Sequence, residues 1–186
     1  MGEGGSAALR TTCRVERATH PILAWRWKAG EIVPGANVDD RTRNDAPTRA
    51  IVSFDYDSLS LRHRLKIVVL RAMGVDIVPR RALVYLWTNQ SKDYDVTANP
   101  FFPWMRQIPV RSGTTDVGTW QVERQNVRRN YRTYFGGNPP PVDGIGIMTD
   151  TNDLNASLTT YFGDIVFRTV TNADSMARRS VEGDSP

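Results

Sequence analysis

Hydrophobic and polar residues alternate with a period of two along much of the chain, the pattern of half-buried strands. From Leu9 to Glu16, Leu9, Thr11, Cys13 and Val15 fall on one face, and Arg10, Thr12, Arg14 and Glu16 on the other. His20-Pro21 ends that run. Ile22 to Lys28 then places Leu23, Trp25 and Trp27 together, opposite Ala24, Arg26 and Lys28. The same reading predicts strands over 48–55, 83–87, 105–111, 118–124, 142–149 and 160–169. Two stretches switch to helical spacing. Over 60–73, Leu61, Leu65, Val68, Val69 and Met73 form one stripe, with Arg62, Lys66 and Arg71 largely away from it. Over 126–135, Val127, Tyr131 and Phe135 recur every fourth residue, before a Gly136-Gly137 stop.

Eight strands against two helices predict a mainly β fold, an antiparallel jelly-roll-type β-sandwich with two short helical insertions. The expected organisation is a flexible N-terminus over 1–6, one sandwich domain over 7–169 and a polar, flexible tail over 170–186. Residues 30–47, rich in Gly, Pro, Asp and Asn, read as a long polar loop.

Length and composition then narrow the chemistry. A chain of 186 residues buries enough surface to need no staples. A single cysteine, Cys13, excludes an intrachain disulfide and a Cys-rich zinc site. The two histidines, His20 and His63, lie far apart and form no metal-ligand spacing. The longest aliphatic run, Ile67 to Leu70, is far short of a membrane span, and no apolar core of a signal peptide follows the first residues. Net charge is +4, and all but three of the 24 basic residues are Arg (Lys28, Lys66 and Lys92 are the exceptions). Arg favours flat, bidentate anions. The basic residues are nevertheless scattered among 20 acids, so a nucleic-acid partner is not expected. There is no P-loop, no GxGxxG and no GxSxG elbow, and His63 sits in a predicted helix without an adjacent acid.

Several groups remain that could bind a ligand. Trp25 and Trp27 share a face with Leu23 and read as core, which turns Arg26 to the other side. Trp104 closes the loop Asn99-Pro100-Phe101-Phe102-Pro103-Trp104, where an aromatic cluster offers an exposed binding platform. Asp39, Asp40, Arg43 and Asp45 form an acidic group in the long loop, without EF-hand spacing; the commoner origin is a solvated loop with a local Asp–Arg pair. Asp150 and Asp153 follow the strand Ile145 to Met148 and suit cation or polar-ligand binding, glycoside hydrolysis, or an Asx-turn that ends the strand. Asp164 interrupts the apolar strand Tyr161 to Ile165. If buried, it requires a charged or metallic partner, and Arg26 is the first candidate. Asp150, Asp153 and Asp164 are thus the candidate ligands of a possible Ca²⁺ and the alternative catalytic carboxylates. With Arg26 and Trp104 they make up the candidate ligand-binding set.

The motifs Pro21-Ile22-Leu23-Ala24-Trp25-Arg26-Trp27-Lys28, Ala82 to Trp87, Phe135-Gly136, Met148-Thr149-Asp150-Thr151 and Tyr161-Phe162-Gly163-Asp164-Ile165 occur in that order. From about Ala7 to Phe167 the chain resembles the bacterial domain-of-unknown-function family 3047. The family's acidic run after Met-Thr is usually Asp-Thr-Asp-Asn-Thr; here it is Asp150-Thr151-Asn152-Asp153-Leu154, and Asn130 stands where an Asp is common. The resemblance implies a jelly-roll or galactose-binding-like sandwich, no assigned activity, and a periplasmic or secreted setting in the cell envelope, although no export signal is seen here. The expected function is a non-catalytic module for a carbohydrate or other polar ligand. The alternatives are a glycan hydrolase using Asp150, Asp153 or Asp164, and a purely structural envelope domain.

Overall fold

The structure, a computed structural model, describes residues 4–15, 19–56, 60–72, 81–89 and 95–170. Glu16 and Met73, expected in a strand and a helix, and the tail from residue 171 lie outside the described residues. The elements are β1 (Ser6–Val15), β2 (Ile22–Ala29), β3 (Ala46–Phe54), α1 (Leu61–Ala72), β4 (Ala82–Thr88), β5 (Thr97–Ala98), β6 (Met105–Ser112), β7 (Gln121–Asn126), α2 (Val127–Phe135), β8 (Val142–Asp150) and β9 (Thr160–Arg168). All eight predicted strands and both helices appear. The additional strand, β5, is two residues long.

The strands form two sheets, one ordered β1-β8-β3-β4-β6-β5 and the other β7-β2-β9. Every pairing is antiparallel except β4–β6, so the larger sheet is mixed rather than purely antiparallel. Leu23, Trp25, Trp27 and Ala29 of β2 pack against Ala50, Val52 and Phe54 of β3 and Leu83, Tyr85 and Trp87 of β4, closing the core between the sheets. The indoles of Trp25 and Trp27 meet edge to face at 5.3 Å. Beneath α2, Val127 and Tyr131 extend this core, and the Asn126 side chain accepts the Arg129 N–H as N-cap.

β4 is apolar on both faces because it lies in the middle of three layers. Its Ala82, Val84 and Leu86 turn away from the small sheet, towards Val38, Ile67, Trp104 and Met105. α1 covers this second core, but not with the predicted stripe. Among its described side chains Ile67 is the buried apolar one, His63 lies 4.7 Å from the Trp104 ring, and the Lys66 ammonium donates to the Phe101 carbonyl. Leu61, Leu65, Val68 and Val69 face outwards. Leu9 is likewise exposed, because β1 is an edge strand paired with β8 alone. The N-terminal end of β1 is tied down: Gly5 O accepts Thr151 N–H at 3.0 Å, and Gly4 N–H donates to Ala156 O.

Candidate ligand-binding face

Strand parity decides what the small sheet shows to solvent. With Trp25 and Trp27 inside, β2 turns Ala24, Arg26 and Lys28 outwards. Register places Arg124 and Val166 beside Ala24, Val122 and Gly163 beside Arg26, and Tyr161 beside Lys28. Trp120, just before β7, continues the outward series Val122 and Arg124 and reaches the other flank of Lys28. Trp120 and Tyr161 are 45% and 48% exposed, large fractions for aromatic rings. Their centroids are 6.4 Å apart. The Lys28 ammonium lies 4.4 Å from the Tyr161 centroid and 5.9 Å from that of Trp120, and the Arg26 guanidinium sits 4.8 Å over the Trp120 ring.

The predicted Arg26–Asp164 pair is present, with Nε to Oδ2 at 2.5 Å. It is not the buried pair that an apolar strand position would require: the Asp164 side chain is 69% exposed. A β-bulge is the reason. Ala24 pairs with Val166 and Arg26 with Gly163, so Asp164 and Ile165 together oppose Trp25. Asp164 takes the extra position at φ 51°, which turns its carboxylate out of the apolar alternation and onto the solvent face. Gly163 leaves room for Arg26 to lie across β9; a Cβ there would stand 3.0 Å from Arg26 Nε. Arg26 and Lys28 therefore lie against two exposed aromatic rings, with the Asp164 carboxylate paired to Arg26 and Arg124 further along the same face, beside Ala24.

Asp150 and Asp153 lie elsewhere. Asp150 ends β8 on the face of the large sheet that points away from the small one, and pairs with Arg49 of β3. Arg49 also donates to the Asn44 carbonyl and to Asn44 Oδ1. Asp153 accepts the Asn44 N–H at 2.8 Å, while the buried Asp45 accepts the N–H groups of Asp153 and Leu154. These carboxylates fasten the long loop and the turn after β8 to each other. Burial pushes the Asp150 carboxyl above the usual carboxylate range; Arg49 opposes that, and Asp45 and Asp153 add to it. Asp150 Oδ1 is buried without a hydrogen-bond partner, in keeping with a shift dominated by desolvation.

The structure corrects the joint grouping of the three carboxylates: Asp150 and Asp153 lie near each other, and Asp164 lies apart from both. Asp150 and Asp164 face opposite sides of a two-sheet stack whose sheets are about 10 Å apart, too far for paired glycosidase carboxylates. Among the described residues, no three His, Cys, Asp or Glu side chains converge to hold a metal ion. Trp104 is corrected as well. It is 4% exposed, packed against His63 and Phe102, and offers no platform. The expected Asp–Arg pair of the long loop is Asp40 with Arg43 at 3.0 Å.

Sequence reading missed Trp120 and Tyr161 as the exposed aromatics. The signal was parity: Trp120, Val122 and Arg124 alternate with Gln121, Glu123 and Gln125. The buried member of the second set, Glu123, looks polar but faces inwards, accepting from Trp27 Nε1 at 3.2 Å and from Arg111 Nε at 2.6 Å. Burial raises its carboxyl above the ordinary range against the pull of Arg111. Comparison with curated proteins returns no match. Residues 2–166 match the family model described as Protein of unknown function (DUF3047), and the chain belongs to that family.

Proposed function

We propose that this protein is a non-catalytic carbohydrate-binding module of the bacterial cell envelope, and that its ligand is an acid-bearing glycan. The observation that carries the reading is the outer face of the β7-β2-β9 sheet, where Trp120 and Tyr161 flank Lys28 and adjoin the Arg26–Asp164 pair. Aromatic faces pack against the C–H faces of sugar rings, and the cations beside them supply donors to hydroxyls and carboxylates. Arg26, Lys28 and Arg124 against the Asp164 carboxylate favour a ligand of opposite charge. We also read the two-sheet stack as a jelly-roll-type, galactose-binding-like sandwich with one parallel pairing, in which a sheet face carries the ligand. The hydrolase alternative draws no support from the geometry: Asp164 lies on the opposite face from Asp150 and Asp153, Asp150 is paired with Arg49, and Asp153 accepts the Asn44 N–H.

The test is titration calorimetry with a short oligogalacturonate and with the same oligomer fully methyl-esterified, which removes the charge and little else. The acid form should bind more tightly. Trp120→Ala should weaken it about tenfold, the equivalent of 1.4 kcal/mol, and Lys28→Gln should reduce the preference for acid over ester. Failure of a broad panel of acidic and neutral glycans to bind, or binding indifferent to Trp120→Ala, would overturn the reading.

A further inference from the structure

α1 presents an apolar face to solvent. Leu61, Leu65, Val68 and Val69, at i, i+4, i+7 and i+8, are 81%, 63%, 62% and 49% exposed. The side of α1 facing the protein is occupied by His63, Lys66 and Ile67, so rotating the helix inwards would cost contacts already made. Four adjacent exposed aliphatics on one helix are more than scattered surface hydrophobics, and mark a contact surface. The charge at the border of that face is one-sided: the exposed Arg62 and Arg64 stand on either side of it, and the helix carries no acid.

From these two observations we infer that α1 docks the protein onto an anionic lipid surface, with the Leu61–Leu65–Val68–Val69 face entering the acyl boundary and cations at its border meeting the headgroups. Each alternative partner satisfies only half of the surface. A second copy of the chain would bury the leucines but bring two cationic helices together. A nucleic acid would meet the arginines and leave the leucines unmatched. A bilayer with acidic headgroups meets both, because apolar burial and headgroup attraction add in interfacial helices. This inference does not rest on the glycan reading, since α1 covers the opposite side of the large sheet from the small one.

The experiment is co-sedimentation of the full chain with vesicles of phosphatidylcholine alone, and with vesicles in which one lipid in three is phosphatidylglycerol. Binding is expected to the second and not the first, and to fall with added salt. Leu65→Gln/Val68→Gln should abolish it while leaving the circular dichroism spectrum and melting temperature unchanged, because those side chains touch solvent. Arg62→Gln should weaken it about fivefold, the worth of one cation near such a surface. The inference is overturned if the parent ignores both vesicles, or binds as well after the double substitution. It is equally overturned if sedimentation velocity shows a dimer that the double substitution dissolves and no vesicle binding is seen.

Discussion

Replacing Arg49 by Met removes one half of the most enclosed ion pair described in the structure, with side chains 5% and 11% exposed. What remains is a carboxylate that has lost its counter-charge while staying within reach of Asp45 and Asp153. Breaking a buried pair from one side typically costs about 3–5 kcal/mol. In a chain of this length that is a fall in Tm of roughly 6–20 °C, taking about 2–4 °C per kcal/mol. Asp150→Leu strands the guanidinium instead, and should cost a similar amount. The double variant Arg49→Met/Asp150→Leu leaves no buried charge, so it should recover part of the loss, with a coupling of roughly 1–3 kcal/mol. The sign with pH is also fixed. A carboxyl whose pKa is higher folded than unfolded holds its proton more tightly in the fold, so its contribution is most favourable below the ordinary carboxylate range and is lost as pH rises through the folded value. The Arg49→Met penalty should therefore be smallest near about pH 4 and grow towards about pH 7. Urea melts of the four proteins at several pH values read both quantities. A strictly additive double variant, or a penalty unchanged by pH, would refute the reasoning.

Three further outcomes follow from other groups. Asp164→Ala should change stability by no more than about 1 kcal/mol, because its partner Arg26 is half exposed too; Asp164→Val should cost more than Asp164→Gly, since only the latter suits a φ of 51°. Thermal melts of the three variants distinguish this from a buried pair, for which Asp164→Ala alone would be severe. Glu123→Gln should gain in Tm relative to the parent as pH rises from about 4 to 7, because ionising the buried Glu123 works against the fold there; a variant that loses ground would show that Arg111 outweighs desolvation. Cys13, half-buried and with its thiol pushed up by burial, then by Asp143, should alkylate with iodoacetamide more slowly in the folded protein than after denaturation. Equal rates would contradict the placement.

The eight strands and two helices were legible because period two and period 3.6 are local properties of the chain. Which side a strand or helix turns inwards is not local, and the misreadings sit there. The Leu61–Leu65–Val68 stripe has the pattern of a core face, yet His63 and Lys66 find specific partners in Trp104 and Phe101, and the helix docks on that side. Trp104 follows two prolines in a loop, where sequence offers no view of the helix that covers it. Asp164 was given its correct partner, Arg26, because parity set that side chain outwards from Trp25 and Trp27. Its exposure depended on a bulge, an event in pairing that a single strand does not announce. Asp150 and Asp153 read as a ligand site because carboxylates that fasten loops and carboxylates that bind ions share a composition. Arg49 and Asn44, more than a hundred residues away in sequence, decide between them.

The pairing of β1 and β3 with β8 sets when this protein can fold. Ser6 meets Asp150 and Phe54 meets Val142 across those seams, and β2 waits for β7 and β9. A ribosome therefore releases the first three strands long before their neighbours exist. At about 5–20 residues per second, the stretch from Phe54 to Val142 takes roughly 4–18 s to synthesise. Throughout that interval Leu23, Trp25, Trp27, Val52 and Phe54 can be buried only in part, by β4 and β6 as they emerge and not by β8 or β9. Assembly of the sandwich is thus obliged to be a late, long-range event, slow for its size. A chaperone that shields the emerging residues 22–54 should raise the yield of folded protein more than one that acts after release.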